Sequence, residues 1–208
     1  MNIVLINNDI EKILKYFLCH IDKVSTTFLC SQTEIAENAF KNDKTLNIFY
    51  KTITDGTCEI KLNESAFENC ENLQAVVFSK ENYSDNKDLD IKKMFSTADS
   101  STDKNQNIID ALTIQHHAFK ECGNLHTVVF PNFKSLSIEK EAFANCKNLR
   151  SILLLEDDSV STTSNIGNIY IHEEAFLNCY DINFICKKDG KIARYARENN
   201  FRTIFLDD

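Results

Sequence analysis

The sequence contains little glycine and almost no proline, with four Gly and one Pro in 208 residues. This scarcity argues against a loop-rich β-sandwich and a collagen-like chain, and it leaves no glycine-rich loop to bind phosphate groups. Basic residues are also outnumbered, since 31 Asp and Glu against 23 Lys and Arg give a net charge of -8. We therefore expect no nucleic-acid partner, because phosphate binding depends on Lys and Arg.

No apolar run approaches the roughly 18 residues that a membrane span requires, so no span is expected. The N-terminal stretch MNIVLINNDIEKILKYFL is not typical of a signal peptide, because Asp9 and Glu11 interrupt it and no basic residue precedes its apolar part. The sequence as it stands therefore predicts a cytoplasmic protein. A missing leader would instead make it secreted or exposed at the cell surface.

A twelve-residue phrase recurs along the chain, as IQHHAFKECGNL from Ile114 and IEKEAFANCKNL from Ile138. Aligning the Ala-Phe pairs defines units 1 to 5, whose anchors are Ala39, Ala66, Ala118, Ala142 and Ala175. Each unit has Ile or Leu four residues before its anchor and seven after it. The residues four after the anchors are Asp43, Cys70, Cys122, Cys146 and Cys179. Agreement at so many positions predicts a repeat protein.

The spacing within a unit predicts a turn followed by a strand. Offsets of minus four, zero, plus four and plus seven lie on one face of a helical or 3₁₀ turn. The segments that follow, such as LQAVVF at residues 73–78, are rich in the β-branched and aromatic residues typical of strands. The shortest period is the 24 residues from Ala118 to Ala142, within the range of about 20–29 typical of leucine-rich repeats. We predict an α/β solenoid with a parallel β-sheet on one face.

A single domain, residues 1–208, accommodates these units. The expected repeats cover 31–187, with polar insertions near 79–110 and 156–168. The ends of a solenoid need caps, so we assign residues 1–30 to an N-terminal cap and 188–208 to a C-terminal cap. Residues 10–21 favour a helix in the first cap. In the second, Ile192, Tyr195 and Ala196 have helical spacing, and a strand pattern follows.

Three segments resemble the BspA-type leucine-rich repeat, whose phrase is close to I-x-x-x-A-F-x-x-C-x-x-L-x-x-V-x-F-P. They are IEKEAFANCKNLRSILL, IQHHAFKECGNLHTVVFP and LNESAFENCENLQAVVF, and the resemblance covers roughly residues 35–187. It implies a protein-binding or adhesion function and no common catalytic residues. The chain departs from the phrase at Asp43, which replaces Cys, and Pro131 is its only strand-end Pro.

The cysteines at plus four predict a ladder of reduced, buried thiols, because free Cys packs as a small hydrophobe. The redox state of Cys19, Cys30, Cys58 and Cys186 stays open. The pairs Cys19-His20 and His116-His117 are adjacent rather than separated, unlike the ligands of a structural zinc site. We predict no catalytic residues, no metal and no cofactor.

The strand positions at plus eight, nine and eleven are expected to face outward and to be wet. The plus-eleven stripe is apolar: Tyr50, Val77, Val129, Leu153 and Cys186. Polar residues at plus eight border it: Gln74, His126 and Arg150. The stripe could hold a protein partner, since exposed apolar patches often mark interfaces. It could instead reflect ordinary strand propensity or be covered by the long insertion.

The predicted function is therefore non-catalytic protein binding or adhesion through the strand face. The main alternative is a structural protein that self-associates through the same apolar face. A thiol-based redox or metal-responsive protein, using the cysteines outside the ladder, is a less favoured alternative. The identity of the protein partner does not follow from the sequence.

Overall fold

A computed structural model describes residues 3–5, 27–30, 34–52, 59–79, 108–130, 132–154 and 169–206. These ranges contain one helix, α1 (Lys191–Glu198), and thirteen strands. The strands are β1 (Ile3–Leu5), β2 (Thr27–Cys30), β3 (Glu34–Ile35), β4 (Ile48–Thr52), β5 (Glu59–Leu62), β6 (Ala75–Ser79), β7 (Ile108–Ile114), β8 (Thr127–Val129), β9 (Asn132–Ile138), β10 (Ser151–Leu153), β11 (Ile169–Ile171), β12 (Asn183–Lys187) and β13 (Arg202–Leu206).

The strands form two parallel sheets, whereas the sequence predicted one. The first sheet has the order β1-β13-β12-β10-β8-β6-β4-β2, and the second has the order β11-β9-β7-β5-β3. Each unit supplies one strand to each sheet, before and after its Ala-Phe turn. The residue at minus four was expected within a helical turn, but it ends a strand of the second sheet, as Ile114 and Ile138 do.

The Ala-Phe segment folds as consecutive tight turns because hydrogen bonds join residues three apart, such as Cys146 N to Phe143 O at 3.2 Å. Left-handed residues stand before the pair in units 1 to 4 and after it in all five units, as in Glu141 (φ 55°) and Asn145 (φ 62°). Asn at plus three in four of the units suits this backbone, which Asn tolerates better than most residues.

Successive units are joined through their turns as well as their strands. The amide of Phe119 donates to the carbonyl of Ala142 in the next unit, at 2.7 Å. The same bond links the other neighbouring units, from Phe40, Phe67 and Phe143. The rings of these phenylalanines and Phe176 stack in a row, with centroids 5.0 or 5.1 Å apart. This row runs through one continuous core that every unit shares.

Two elements follow unit 5, where the sequence predicted them. The helix α1 contains Ile192, Tyr195 and Ala196, and it buries Ile192 and Ala196 against the core. After it, β13 pairs with β12 in the first sheet. The ring of Phe201 packs against Phe176, the last ring of the phenylalanine row, and the rings of Tyr195 and Phe201 pack on Phe184.

The N-terminal strand does not lie where a cap of unit 1 would lie. β1 pairs with β13, next to the last units, while β2 pairs with β4 at the opposite end of the first sheet. The predicted helix at 10–21 lies outside the described residues, as do the cores of both insertions, 80–107 and 155–168. The assignment of 1–208 to one domain with these boundaries stays a prediction.

Candidate functional site

The predicted plus-eleven stripe is aligned in the first sheet. Tyr50 is the register partner of Val77, Val77 of Val129, and Val129 of Leu153. The same column continues through Ile185 and Ile204. We call the residues Val77, Val129, Leu153, Ile185 and Ile204 the outer column, because they alternate with the strand residues that face the core.

The outer column is not wet, and this expectation was wrong. The exposed fractions of Val77, Val129 and Leu153 are 2%, 1% and 1%. None of the three belongs to the core cluster, whose members on the same strands are their neighbours, such as Val76 and Val128. The outer face of the first sheet, which lies opposite the core, is therefore also covered. Whether the long insertion supplies the cover stays untested, since its core lies outside the described residues.

The polar border is only partly accessible. Gln74, His126 and Arg150 are half-buried, and the Arg150 guanidinium donates to the carbonyl of Lys147 at 3.0 Å. For Tyr50 the structure describes the backbone alone. The predicted binding set is thus brought together in register, but Val77, Val129 and Leu153 are closed to solvent.

Unit 5 departs from the predicted register by one residue. Asn183, at plus eight, aligns with Ser151, at plus nine in unit 4. Phe184 and Cys186, which were expected to face outward, therefore lie in the core, and Ile185 joins the outer column. A one-residue shift exchanges the two faces of a strand because its side chains alternate.

Two buried hydroxyl groups on the outer face have no hydrogen-bond partner among the described residues. They are Thr127 Oγ1 and Ser151 Oγ, whose residues are register partners on β8 and β10. A buried polar group without a partner typically costs about 1–3 kcal/mol. This face is therefore covered at some cost to stability.

The predicted cysteine ladder is confirmed for its four members, which are buried and form no disulfide. Each thiol donates to the carbonyl of the phenylalanine in the preceding unit, as Cys146 does to Phe119 at 2.9 Å. Burial raises the pKa of Cys122 well above its ordinary value and that of Cys179 from 9.0 to about 11. Thiols held protonated in this way are poor nucleophiles and poor metal ligands.

Asp43 replaces the ladder cysteine in unit 1. In the described part of the chain, no Ala-Phe turn precedes this unit. Its carboxylate accepts bonds from the amides of Thr45 and Leu46, at 2.7 and 3.1 Å. These bonds lower its pKa, the Thr45 amide contributing most. Asp43 thus satisfies its own turn where a cysteine would bond to a preceding unit.

The adjacent histidines lie among ion pairs on the turn surface. The Nε2 atoms of His116 and His117 lie 3.3 and 3.4 Å from carboxylate oxygens of Glu139 and Glu141. Glu141 also binds Lys120 at 2.7 Å, and this bond lowers its pKa. In the described ranges, no group of three or more His, Cys, Asp or Glu side chains could hold a metal ion.

The sequence reading missed an apolar surface on unit 5. Among the described residues, the exposed large hydrophobic side chains are Tyr170, Leu177 and Tyr180, with exposed fractions of 52%, 42% and 75%. All three belong to this unit. Their offsets are minus five, plus two and plus five. At these offsets the other units carry Glu34, Lys61, Thr113 and Ser137; Lys41, Glu68, Lys120 and Ala144; and Lys44, Glu71, Gly123 and Lys147. Comparing the units column by column would have found the exchange of polar or small residues for large apolar ones.

The turn of unit 5 also ends the hydrogen-bond ladder. In units 1 to 4 the amides at plus one and plus three donate to carbonyls of the next unit. The equivalent amides, Phe176 N and Asn178 N, have no acceptor within the described residues. Leu177 lies between these two residues in the chain, and the Tyr180 hydroxyl donates to Asn178 Oδ1 at 3.2 Å. We call Tyr170, Leu177 and Tyr180 with these amides the unit-5 surface.

None of the helices in the described ranges has the length and apolar character needed to cross a membrane.

Residues 112–191 match the family model described as "BspA type Leucine rich repeat region (6 copies)". The match confirms the resemblance over units 3 to 5, and units 1 and 2 share their turn and strand geometry. No curated protein and no solved structure matches the chain.

Proposed function

We propose that this chain, which carries the BspA-type leucine-rich repeat over residues 112–191, is a non-catalytic protein-binding module built as a capped solenoid. In this account α1 and β13 form the C-terminal cap. Repeat proteins of this family generally serve protein interaction or adhesion. The buried ladder thiols, which donate to backbone carbonyls, and the histidines beside Glu139 and Glu141 give no support to a nucleophilic or metal-dependent role.

The observation that carries the proposal is the unit-5 surface. Burying a large apolar side chain stabilises a contact by about 1.5–3 kcal/mol, and exposed Tyr is a frequent anchor at interfaces. Tyr180 is the most exposed large hydrophobic residue of the described chain. The amides of Phe176 and Asn178, which have no acceptor in the described part of the chain, add directional donors on the same turn. We therefore place the protein partner on unit 5.

The strand face stays an untested binding surface. A partner there would have to reach Val77, Val129 and Leu153, which are buried. The same burial removes the observation on which self-association through that face rested. The unit-5 surface is open without any rearrangement, so we favour it.

The test is a comparison of Tyr180→Glu with Lys147→Glu, which changes the same offset of unit 4. The parent protein is first immobilised to capture candidate partners. The affinity of each captured partner for the parent and for the two variants is then measured in solution. Tyr180→Glu should lower the affinity for a specific partner at least about tenfold, because it removes an apolar anchor and adds a charge that must be desolvated. Lys147→Glu should change the affinity little.

Circular dichroism of both variants should match the parent, since both side chains are exposed. A partner held equally by the parent and Tyr180→Glu would place the binding site away from unit 5. Equal losses in both variants would indicate a nonspecific charge effect and would also contradict the proposal.

A further inference from the structure

We propose, resting on the binding site assigned to unit 5 above, that the partner supplies an extended segment, which adds to β11 as a further strand of the second sheet. The segment runs parallel to β11 and carries apolar residues at alternate positions. This specifies the chemistry of the partner, which the exposed side chains of unit 5 alone do not.

The outer edge of β11 has unpaired backbone groups. β11 is an end strand of the second sheet, and its neighbour there is β9. The amide of His172 donates to the carbonyl of Ile138 at 2.9 Å, so it points toward β9. Because successive amides of a strand point to opposite sides, those of Ile169 and Ile171 point away from β9. In the described ranges no strand lies on that side, so the edge is open to pairing.

The two isoleucines of β11 show that a strand would also complete the packing. Ile169 and Ile171 pack against the core but are only half-buried. Their equivalents in units 2 to 4 are at most 2% exposed: Ile60, Leu62, Leu112, Ile114, Leu136 and Ile138. Each of these has a strand of the following unit beside it. An added strand with apolar residues at alternate positions would cover the isoleucines in the same way.

β11 also lacks the residues that usually block an edge strand. Natural edges carry charged residues, above all Lys, or are kept very short. The opposite end of the same sheet fits this rule, because β3 is two residues long and carries Glu34. β11 instead has the sequence IYI, and Tyr170 is 52% exposed. An aromatic or β-branched residue on the added strand would pack beside Tyr170.

The contact between units 4 and 5 shows how the bound segment would continue. The carbonyls of Ala175 and Leu177 accept from two amides of unit 4, at 2.8 and 2.9 Å. The amides of Phe176 and Asn178 stand at the equivalent offsets of unit 5 and have no acceptor among the described residues. A segment that turns after its strand, as unit 5 does, would bring two carbonyls, two residues apart, to these donors.

A second copy of the chain, stacked end to end, does not fit this edge. β13 and β1 extend the first sheet beyond unit 5, and β2 extends it beyond unit 1. If β11 of one copy paired with β3 of another, these three strands would need about 19 Å where the second sheet leaves about 4.8 Å. A slender segment of a different protein avoids this clash.

The test uses a phage-displayed library of random linear peptides as the probe, selected on the full-length chain. Enriched peptides should carry apolar residues at alternate positions. The best of them, made synthetically, should slow amide hydrogen exchange at Ile169 and Ile171. A nitroxide at the C-terminus of this peptide should broaden the amide signals of Phe176 and Asn178 more than one at its N-terminus, as parallel addition requires.

Two matched variants test the edge itself. Tyr170→Lys introduces the residue that most often blocks edge strands, and it should lower the affinity for the selected peptide at least about tenfold. Thr113→Lys introduces the same residue at the same offset in unit 3 and should change the affinity little. Circular dichroism should show that both variants are folded, since Lys61 occupies this offset in unit 2.

The outcomes separate this proposal from the assignment of the site to unit 5. Peptides that bind but leave Ile169 and Ile171 unprotected would overturn the strand addition, while the response of captured partners to Tyr180→Glu would still decide the site. The strand addition would also be overturned if no peptide is enriched, if the nitroxide pattern is reversed, or if the free chain is a dimer in which these two amides are already protected.

Discussion

Val129→Glu is expected to destabilise the fold by about 3–5 kcal/mol, because it places an unpaired carboxylate inside the structure. Val129 is 1% exposed, and its register partners Val77 and Leu153 are buried as well. Urea titrations of the parent and the variant measure the difference in the free energy of unfolding.

Gln74→Glu is the control, since it adds the same charge at a half-buried position that follows the turn of unit 2. It should change the free energy of unfolding by roughly 0.5 kcal/mol or less, as most surface substitutions do. If Val129→Glu is as stable as the parent, the outer column is open to water. That result would return the strand face to the candidate binding surfaces.

Phe119→Ala should cost about 3–5 kcal/mol, because it removes a fully buried ring from the middle of the phenylalanine row. Its ring stacks on Phe67 and Phe143, each with centroids 5.0 Å away. The loss therefore opens a cavity shared by units 2, 3 and 4. Thermal and urea unfolding of the variant should both show the decrease.

Phe40→Ala is the matched comparison at the end of the row. Phe40 stacks on Phe67 and is only half-buried, so the same truncation should cost clearly less. Equal costs at the two positions would mean that the row does not form one core. Stacking of the units would then not be the main source of stability.

The repeat and its strands followed from the sequence because they depend on local periodicity. The Cys ladder was predictable for the same reason, since Cys70, Cys122, Cys146 and Cys179 share one offset in units that stack in register. The second sheet was missed because each of its strands ends at the residue four before the anchor, which also fits a helical spacing. β5, with the sequence EIKL, alternates exposed and buried residues over only four positions, and its last residue also fits a helical spacing.

The state of the candidate strand face was not predictable from periodicity. Register aligned Tyr50, Val77, Val129 and Leu153 as expected, but their exposure depends on what lies over the sheet. In unit 5 the strand begins one residue earlier after the turn, and this shift of register reverses the roles of Phe184 and Ile185.

The unit-5 surface could have been predicted from the sequence. The repeated core columns draw attention to what the units share, whereas Tyr170, Leu177 and Tyr180 stand out by what unit 5 does not share. Their exposure follows from geometry, because the equivalent residues of units 1 to 4 are exposed or half-buried, except Ala144, and all of them are polar or small.

Amide hydrogen exchange tests the central claim most directly, namely that the units form a hydrogen-bond ladder that ends in an open surface on unit 5. The amides of Phe67, Phe119 and Phe143 donate to the next unit and should exchange slowly, near the rate set by global unfolding. The equivalent amide of Phe176, together with that of Asn178, should exchange much faster and become protected when a partner binds. Slow exchange at Phe176 and Asn178 in the free protein, or fast exchange at Phe119 and Phe143, would contradict the account.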